Sequence, residues 1–491
     1  MELPRTGTSK SKQLLLASLL ASAVAFADGS PPAAAALPAE RLRKAVVAVR
    51  ATVQNPNWRN PWKKLSPETA EFNGIVAEGH TILVPAMELV GYTLIEVQRL
   101  GEQSWVPAKV KLIDYDLPLA LLEVEEAGFW NGLEPLPLAP IVPTAGDVQL
   151  AMWQAGKFEL ANATVARLEV DSFGFGRVRA LALHLATTAT SAVQGEAVVA
   201  GGQLVGMVSS SGKDDLVAIA SSFLGEFLRE AAHSPYRGFA RLGTYWQSLT
   251  NPALRNSLGL HPEDGGVLMN RLVPQGGAAQ ALQPRDVLLE VAGHRIDASG
   301  RFEHPKYGPI RWSLLVTEGK RAGDALDMLV LREGKRQHVS VPLKRWSAQE
   351  DRIPPNMAGQ KPDFVVVGGL VFQELTGAYL ASFPNWRLAG PARLVIANDL
   401  DGEWPSPEHP RTVVLTVVLP DPANLGYQDL HDLIVESVNG VRLRNLADLR
   451  SALTRPVAPN HVVEFFPGQG IRRIVLDVAE VEAAAKRVQL D

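Results

Sequence analysis

Between Ala45 and Ala220, apolar residues occur in short runs of about four to eight, separated by turn-forming residues. These runs are rich in Val, Ile, Leu and Thr, and no helical periodicity intervenes between them. Regular spacing of this kind predicts an antiparallel barrel or sandwich. Typical runs are KAVVAVRATV (44–53), GHTILVPA (79–86), LALLEV (119–124) and EAVVAGGQLVGMVSS (196–210).

One amphipathic helix is predicted directly after this β-rich region. Ser221–Ala232 begins with a serine that suits an N-cap, and its apolar side chains fall on one face. Those side chains are Phe223, Leu224, Phe227 and Leu228. A β unit over 41–232 that ends in a single helix predicts a domain of two β-barrels.

Two further units follow, at 233–346 and 363–491, and the polar, proline-containing stretch 347–362 is typical of a linker. The segment DVLLEVAG (286–293) has a counterpart in LIVESVNG (433–440). Each is an apolar strand that ends in a glycine turn. This internal repeat indicates that the two units are related domains.

The composition is globular, with 46% hydrophobic and 20% charged residues. The absence of cysteine excludes disulfides, thiolate catalysis and cysteine-ligated metal sites. The net charge of −4 gives no basic field, so we expect no nucleic-acid partner.

The N-terminal 27 residues have the pattern of a secretory signal peptide. A basic region with Arg5, Lys10 and Lys12 precedes the apolar stretch Leu14–Ala27, which ends in Ala-Phe-Ala. Residues 28–40 form an Ala/Pro-rich spacer. We expect cleavage after Ala27 and a periplasmic or secreted protein, with an uncleaved anchor as the alternative.

The second unit contains a loop, Ser257–Leu260, in which glycine stands between two leucines before the segment 264–296. This pattern resembles a PDZ domain of the kind found in HtrA/Deg proteases. The resemblance implies that Leu258, Gly259 and Leu260 bind a peptide's terminal carboxylate and last side chain, with Arg255 nearby as added positive charge.

The third unit resembles the second PDZ-like domain of plant-type Deg proteases. Its first segment, GGLVF (368–372), has no convincing carboxylate loop. A packing or oligomerisation role is therefore at least as well supported as peptide binding. The resemblance also implies a helix over 310–320 beside the groove of the second unit.

A first unit of this family would carry a serine-protease triad. The positions that match the family's histidine, aspartate and serine are Met87, Pro118 and Val193. None of these side chains can transfer a proton in catalysis or attack a carbonyl. Gly195 of the nucleophile loop is retained, but Gln194 replaces a glycine.

A displaced triad made of His80, Asp116 and Ser191 is an alternative, although it needs three independent shifts. His184 lies in an apolar strand, where a histidine satisfied by its neighbours is the expected reading. No HExxH or H-x-x-x-H motif occurs, and we expect no metal and no cofactor.

The sequence therefore predicts a mainly β protein: a trypsin-like double β-barrel followed by two PDZ-like α+β domains. We expect an exported, non-catalytic Deg-like protein that binds unfolded or C-terminal peptide segments as a scaffold, adaptor or chaperone. The family resemblance implies a homo-oligomer, with a trimer expected. The alternatives are an active serine endopeptidase with a displaced triad and a structural envelope protein with closed grooves.

Overall fold

A computed structural model describes residues 39–99, 101–154, 156–175, 177–187, 194–211, 216–261 and 263–488. The predicted signal segment 1–27 and positions Ser191 and Val193 lie outside the described residues.

The first unit begins with the short helix α1 (Ala39–Arg43) and an antiparallel sheet of seven strands in the order β5-β4-β1-β2-β3-β7-β6. Its strands bury their β-branched and leucine side chains in a common core. They are β1 (Val46–Val53), β2 (Glu68–Ala77), β3 (Thr81–Pro85), β4 (Tyr92–Gln98), β5 (Val106–Pro107), β6 (Lys109–Asp114) and β7 (Leu119–Glu123).

Six further strands form a closed barrel in the order β10-β13-β12-β11-β8-β9. They are β8 (Gly146–Gln154), β9 (Lys157–Phe173), β10 (Val178–Thr187), β11 (Ala197–Ala200), β12 (Gln203–Ser211) and β13 (Leu216–Ala220). The predicted mainly β fold is confirmed. The first sheet ends on β5 and β6, so the closed ladder belongs to the second half.

Helix α2 (Ser221–Ala231) follows the barrel as predicted, but the serine has another role. Ala220 is the capping residue and makes no side-chain cap bond. The Ser221 hydroxyl instead donates to the Ala139 carbonyl at 2.9 Å. The serine thus attaches the start of the helix to the barrel.

The second unit is an antiparallel sheet in the order β14-β15-β16-β20-β21, with β17 beside β16 and a separate hairpin β18-β19. Its elements are β14 (Thr244–Ser248), α3 (Pro252–Ser257), β15 (Val267–Leu272), β16 (Val287–Val291), β17 (His294–Arg295), β18 (Arg301–His304), β19 (Gly308–Arg311), β20 (Ala325–Arg332) and β21 (Lys335–Pro342).

The helix expected over 310–320 is shorter than predicted. Ile310 and Arg311 still belong to β19, and only Trp312–Val316 is helical, as a 3₁₀ helix. The pairing of Phe302 with Ile310 and of Arg301 with Arg311 draws the start of the segment into a hairpin. Strand pairing therefore takes up the start of the segment that the family resemblance assigned to a helix.

The third unit has the sheet order β22-β23-β24-β25-β27-β28, with β26 beside β25. Its elements are β22 (Phe364–Val367), β23 (Leu370–Glu374), α4 (Gly377–Ala381), α5 (Trp386–Ala389), α6 (Ala392–Asp401), β24 (Val413–Val418), β25 (Leu433–Val438), β26 (Val441–Arg442), α7 (Leu446–Leu453), β27 (Asn460–Phe465), β28 (Arg473–Asp477) and α8 (Val478–Arg487). In the described part of the chain, no helix has the length and apolar character needed to cross a membrane.

The internal repeat is visible in both sheets. β16 turns at Gly293 (φ 80°) into β17, and β25 turns at Gly440 (φ 77°) into β26. Both turns need a left-handed backbone, which glycine adopts without the steric cost of a Cβ. The two repeated segments thus form the same strand–turn–strand unit.

The 347–362 stretch is packed rather than extended in solvent. Ile353 is buried, and its N–H donates to the Gly402 carbonyl at 2.9 Å. Arg411 donates to the carbonyl oxygens of Asp351 (2.6 Å) and Gln349 (2.8 Å). This segment therefore docks against the third unit.

Candidate functional site

Two of the three positions that match the triad lie on adjacent segments. Met87 stands in the 3₁₀ turn that follows β3, and the Ala86 N–H donates to the Pro118 carbonyl at 3.0 Å. Pro118 is buried and Met87 is half-buried. A thioether and a pyrrolidine cannot act as general base or as its orienting carboxylate. The third position, Val193, lies outside the described residues.

The retained Gly195 has a packing role in the structure. Its N–H donates to the Val208 carbonyl at 2.9 Å, and the Gln194 carbonyl accepts from the Asn73 N–H at 3.1 Å. The Gly195 N–H is therefore engaged within the fold and does not point to an oxyanion.

The displaced triad would need His80 and Asp116 within hydrogen-bond reach. His80 precedes β3, where Ile82 pairs with Leu122, and its ring stacks on Trp130 at 5.1 Å. Asp114, at the other end, pairs with Leu119, which also faces Pro85. At about 3.3 Å per residue, His80 and Asp116 are separated by roughly 15 Å. Ser191 lies outside the described residues.

Asp116 lies in a buried acidic pair between the first and second units. Its Oδ2 is 3.5 Å from Arg345 Nη2, and Asp114 accepts from the Tyr236 hydroxyl at 2.5 Å. Burial, together with the charge of Asp114, raises the pKa of Asp116 to about 6. Asp116 is therefore protonated in the folded chain at a pH where the unfolded chain is ionised.

This raised pKa predicts a pH-dependent stability. A carboxyl with a folded pKa above its unfolded value stabilises the fold at low pH, and this stability is lost as pH rises through about 6. A rise from 3.8 to about 6 corresponds to about 3 kcal/mol. We expect Asp116→Asn to be more stable than the parent at pH 7.5, by up to that amount, and to lose the advantage at pH 4.

Urea denaturation across this pH range measures the effect. The exposed Glu123→Gln, on β7 of the same sheet, is the matched control and should leave the profile unchanged within about 0.5 kcal/mol. An Asp116→Asn difference that stays constant between pH 4 and 7.5 would contradict the assigned cause.

His184 is satisfied by its neighbours, as expected. Its Nε2 lies 2.8 Å from Asp171 Oδ2, and its Nδ1 lies 2.7 Å from Arg167 Nη2. Glu169, Asp171 and His184 have the spacing of a metal site. However, Arg167 contacts both the ring and Glu169, at 3.4 Å from the latter. An ion-paired network on β9 and β10 explains these contacts without a metal.

The backbone amides of the Ser257–Leu260 turn are hydrogen-bonded to carbonyl oxygens of helix α3. The N–H groups of Leu258, Gly259 and Leu260 donate to the carbonyl oxygens of Arg255 or Asn256 at 3.0 to 3.2 Å. Arg255 Nη2 donates to the carbonyls of His261 (2.8 Å) and Asp264 (2.5 Å). A peptide site at this turn stays a prediction that these contacts do not favour.

A cavity of about 440 Å³ lies instead beside β14 and the 3₁₀ helix Trp312–Val316. β14 pairs only with β15 in the described sheet, so it is an edge strand and its other side is unpaired in that sheet. Trp246 on β14 lies 6.4 Å from Trp312, and both line the cavity. An open strand edge beside a pocket is the geometry that accepts a peptide as an added strand.

The corresponding edge in the third unit is covered. β22 pairs along β23, from Phe364 with Gln373 to Val367 with Leu370, and helix α7 contacts both strands. Arg450 on α7 fixes this strand by pairing with Asp363 and donating to the Phe364 carbonyl at 3.3 Å. The chain's own β22 thus takes the place of an added strand.

The sequence reading missed the cavity beside β14. A signal was present, because Leu242-Gly243-Thr244 is a second leucine–glycine turn and leads directly into a strand. Gly243 has φ 75°, and it packs against Trp346 and Gly276. The other walls come from residues distant in sequence, including Arg177, Arg179 and Glu403.

Comparisons with known proteins match several parts of this architecture. A family model described as PDZ domain matches residues 353–490. Do-like protease 11 of Arabidopsis thaliana mitochondria is 28% identical over 79% of this chain, which covers 64% of that relative. Protease Do-like 2 of Arabidopsis chloroplasts is 27% identical over 82%, with 67% of its length covered. This chain thus spans about two thirds of the length of these relatives.

A serine protease DegP homolog of Plasmodium falciparum is 24% identical over 44% of this chain and 26% of its own length. Among solved structures, an HtrA-type protease AlgW with tripeptide aligns with 62% of this chain and 96% of its own. Its identity is 18% and its TM-score 0.47.

Proposed function

We propose that this chain, a homologue of the Do-like, HtrA-type serine proteases with a PDZ domain, is an exported protein that binds peptides without cleaving them. The observation that carries the proposal is the open edge of β14 beside the 440 Å³ cavity. An extended segment or a C-terminus would pair with β14 and place a side chain against the two tryptophans that line the cavity. The role implied is that of a scaffold, adaptor or chaperone in envelope protein quality control.

Peptide binding is tested by fluorescence anisotropy with a C-terminal peptide library. Thr244→Trp places an indole at the cavity wall and is expected to weaken binding at least tenfold. Gly259→Trp is the control, because Gly259 is exposed and a Cβ there meets no atom within 4 Å, so the substitution carries only the strain of its φ of +72°. Loss of binding in Gly259→Trp alone would return the site to the Ser257–Leu260 turn.

The absence of catalysis is supported by Met87 and Pro118 and by the engaged amide of Gly195. We expect no cleavage of casein and no labelling by a fluorophosphonate probe. Labelling that Ser191→Ala abolished would establish the displaced serine as a nucleophile and defeat the non-catalytic proposal. Labelling that survived in Ser191→Ala would point to a contaminating hydrolase.

Export and assembly are part of the same proposal. Export rests on the basic and apolar pattern of residues 1–27. N-terminal sequencing of the protein from a cell fraction outside the cytoplasm should begin at Asp28. Light scattering should give a homo-oligomer, and we expect a trimer from the resemblance to HtrA/Deg proteases. A monomer at micromolar concentration would exclude that assembly.

A further inference from the structure

The cavity beside β14 is strongly cationic. Its described lining residues include four arginines and a single carboxylate, that of Glu403. The arginines come from separate parts of the chain: Arg177 and Arg179 around the start of β10, Arg241 before β14, and Arg311 at the end of β19. Their convergence cannot follow from one local pattern, so the fold brings positive charge to this site.

Arg241 is the most buried of the four, with 8% of its surface exposed. Its guanidinium carbon lies 3.7 Å from the ring centroid of Trp346. Its Nη1 is buried and has no hydrogen-bond partner among the described residues. Asp351 and Asp116 attract it by charge only. Leaving such a donor unpaired is costly, so it is suited to an anionic acceptor from outside the chain.

Two further side-chain donors are also buried without a hydrogen-bond partner among the described residues. Trp312 Nε1 and Ser313 Oγ are buried, line the cavity and lack a partner among the described residues. Trp312 is the first residue of the 3₁₀ helix, opposite β14. The unpaired donors therefore belong to both sides of the cavity, not to a single misplaced side chain.

The rim of the cavity, where Arg177, Arg179 and Arg311 lie, already contains one carboxylate of the chain itself. Glu403, from the turn after α6, accepts from the Tyr245 hydroxyl at 2.5 Å and pairs with Arg177. Arg179 and Arg311 are exposed and line the same cavity. Among the described residues, neither of them forms an ion pair. The rim thus has the donor chemistry for more than one carboxylate.

We infer that this cavity selects peptide C-termini with acidic side chains among their last residues. The inference rests on the proposed peptide binding and names its ligand class. The peptide would pair with β14, its terminal carboxylate would reach the buried donors at Arg241 and Ser313, and its acidic side chains would meet Arg179 and Arg311. Bidentate guanidinium–carboxylate pairs give such recognition both strength and direction.

The test is selection from a C-terminal peptide library randomised at its last four positions. We expect Asp and Glu to be enriched, and an acidic peptide to bind about tenfold or more tightly than its Asn/Gln counterpart. The preference should weaken at high salt, because the rim arginines are exposed. Amidation of the terminal carboxylate should weaken binding as well.

The double variant Arg179→Gln/Arg311→Gln should lose the acidic preference but still bind neutral peptides. Both side chains are exposed, so the variant should fold. Arg301→Gln is the matched control, since Arg301 is exposed, faces Arg311 across the hairpin and does not line the cavity. It should retain the full preference.

The outcomes separate this inference from the proposed function. Equal binding of acidic and neutral peptides would overturn the acidic selectivity and leave peptide binding intact. Failure of every library peptide to bind would overturn both. Displacement of a bound acidic peptide by millimolar inorganic phosphate as effectively as by the free peptide would mark a small-anion site and overturn the inference.

Discussion

Replacing Arg321 by methionine is expected to destabilise the protein by about 3–5 kcal/mol, because it leaves the buried Glu226 carboxylate without its cationic partner. Arg321 is 9% exposed and joins the second unit to helix α2 of the first. Its Nη1 donates to Glu226 at 2.8 Å, and its Nε lies 3.4 Å from Glu230. Glu226 also accepts from the Gly319 N–H at 2.8 Å.

The two glutamates differ in their electrostatic environment. Burial raises the pKa of Glu226. Burial acts in the same direction on Glu230, but hydrogen bonds from Arg237 outweigh it and leave the pKa of Glu230 below its usual value. Without Arg321, these side chains, which are buried and one helical turn apart, would repel each other more strongly.

Thermal unfolding and urea denaturation measure the loss. Lys109→Met removes the exposed pair with Glu125, whose side chains are 66% and 77% exposed, and should leave the stability almost unchanged. Arg321→Met combined with Glu226→Gln and Glu230→Gln should recover most of the loss. The deficit of Arg321→Met should also shrink as the pH falls, because burial favours the protonated form of Glu226. A loss equal to that of Lys109→Met would show that this cluster does not hold the two units together.

Local patterns in the sequence were sufficient for elements whose structure depends on nearby residues. The helix at Ser221 followed from apolar spacing, and its Phe223, Leu224 and Phe227 are buried. The strand–turn repeats ending at Gly293 and Gly440 followed from glycine at the positive-φ position. In each case the same few residues supply the pattern and the packing.

Features that depend on distant residues could not be predicted. The helix expected over 310–320 is shorter in the structure, because Ile310 pairs with Phe302 as part of a strand. The peptide site at Ser257–Leu260 stays a prediction from the leucine–glycine pattern, which does not show that these amides are hydrogen-bonded within the α3 turn. The cationic cavity depends on Arg177 and Glu403, which are 226 positions apart.

Gly195 is expected to be needed for stability, because there is no room for a larger residue at its position. In an active serine protease, a glycine beside the nucleophile serves catalysis. In this chain it packs closely against the backbone of Asn73. Its φ is +86°, and a Cβ at this position would lie 1.9 Å from the Asn73 carbonyl oxygen. Asn73, on β2, also accepts from the Trp153 N–H of β8 at 2.6 Å. Gly195 therefore packs where the first sheet meets the barrel.

Gly195→Ala is expected to cost about 2–5 kcal/mol, from left-handed strain of about 1–2 kcal/mol and a backbone shift of about 1–3 kcal/mol. Gly132→Ala is the matched control. It has φ +77° but no atom within 4 Å of a Cβ, so it carries only the first cost. Urea denaturation of both variants isolates the contact with Asn73. If the two variants lose equal stability, that contact does not explain why the glycine is kept. If Gly195→Ala alone is severely destabilised, the contact with Asn73 accounts for the requirement for glycine at this position.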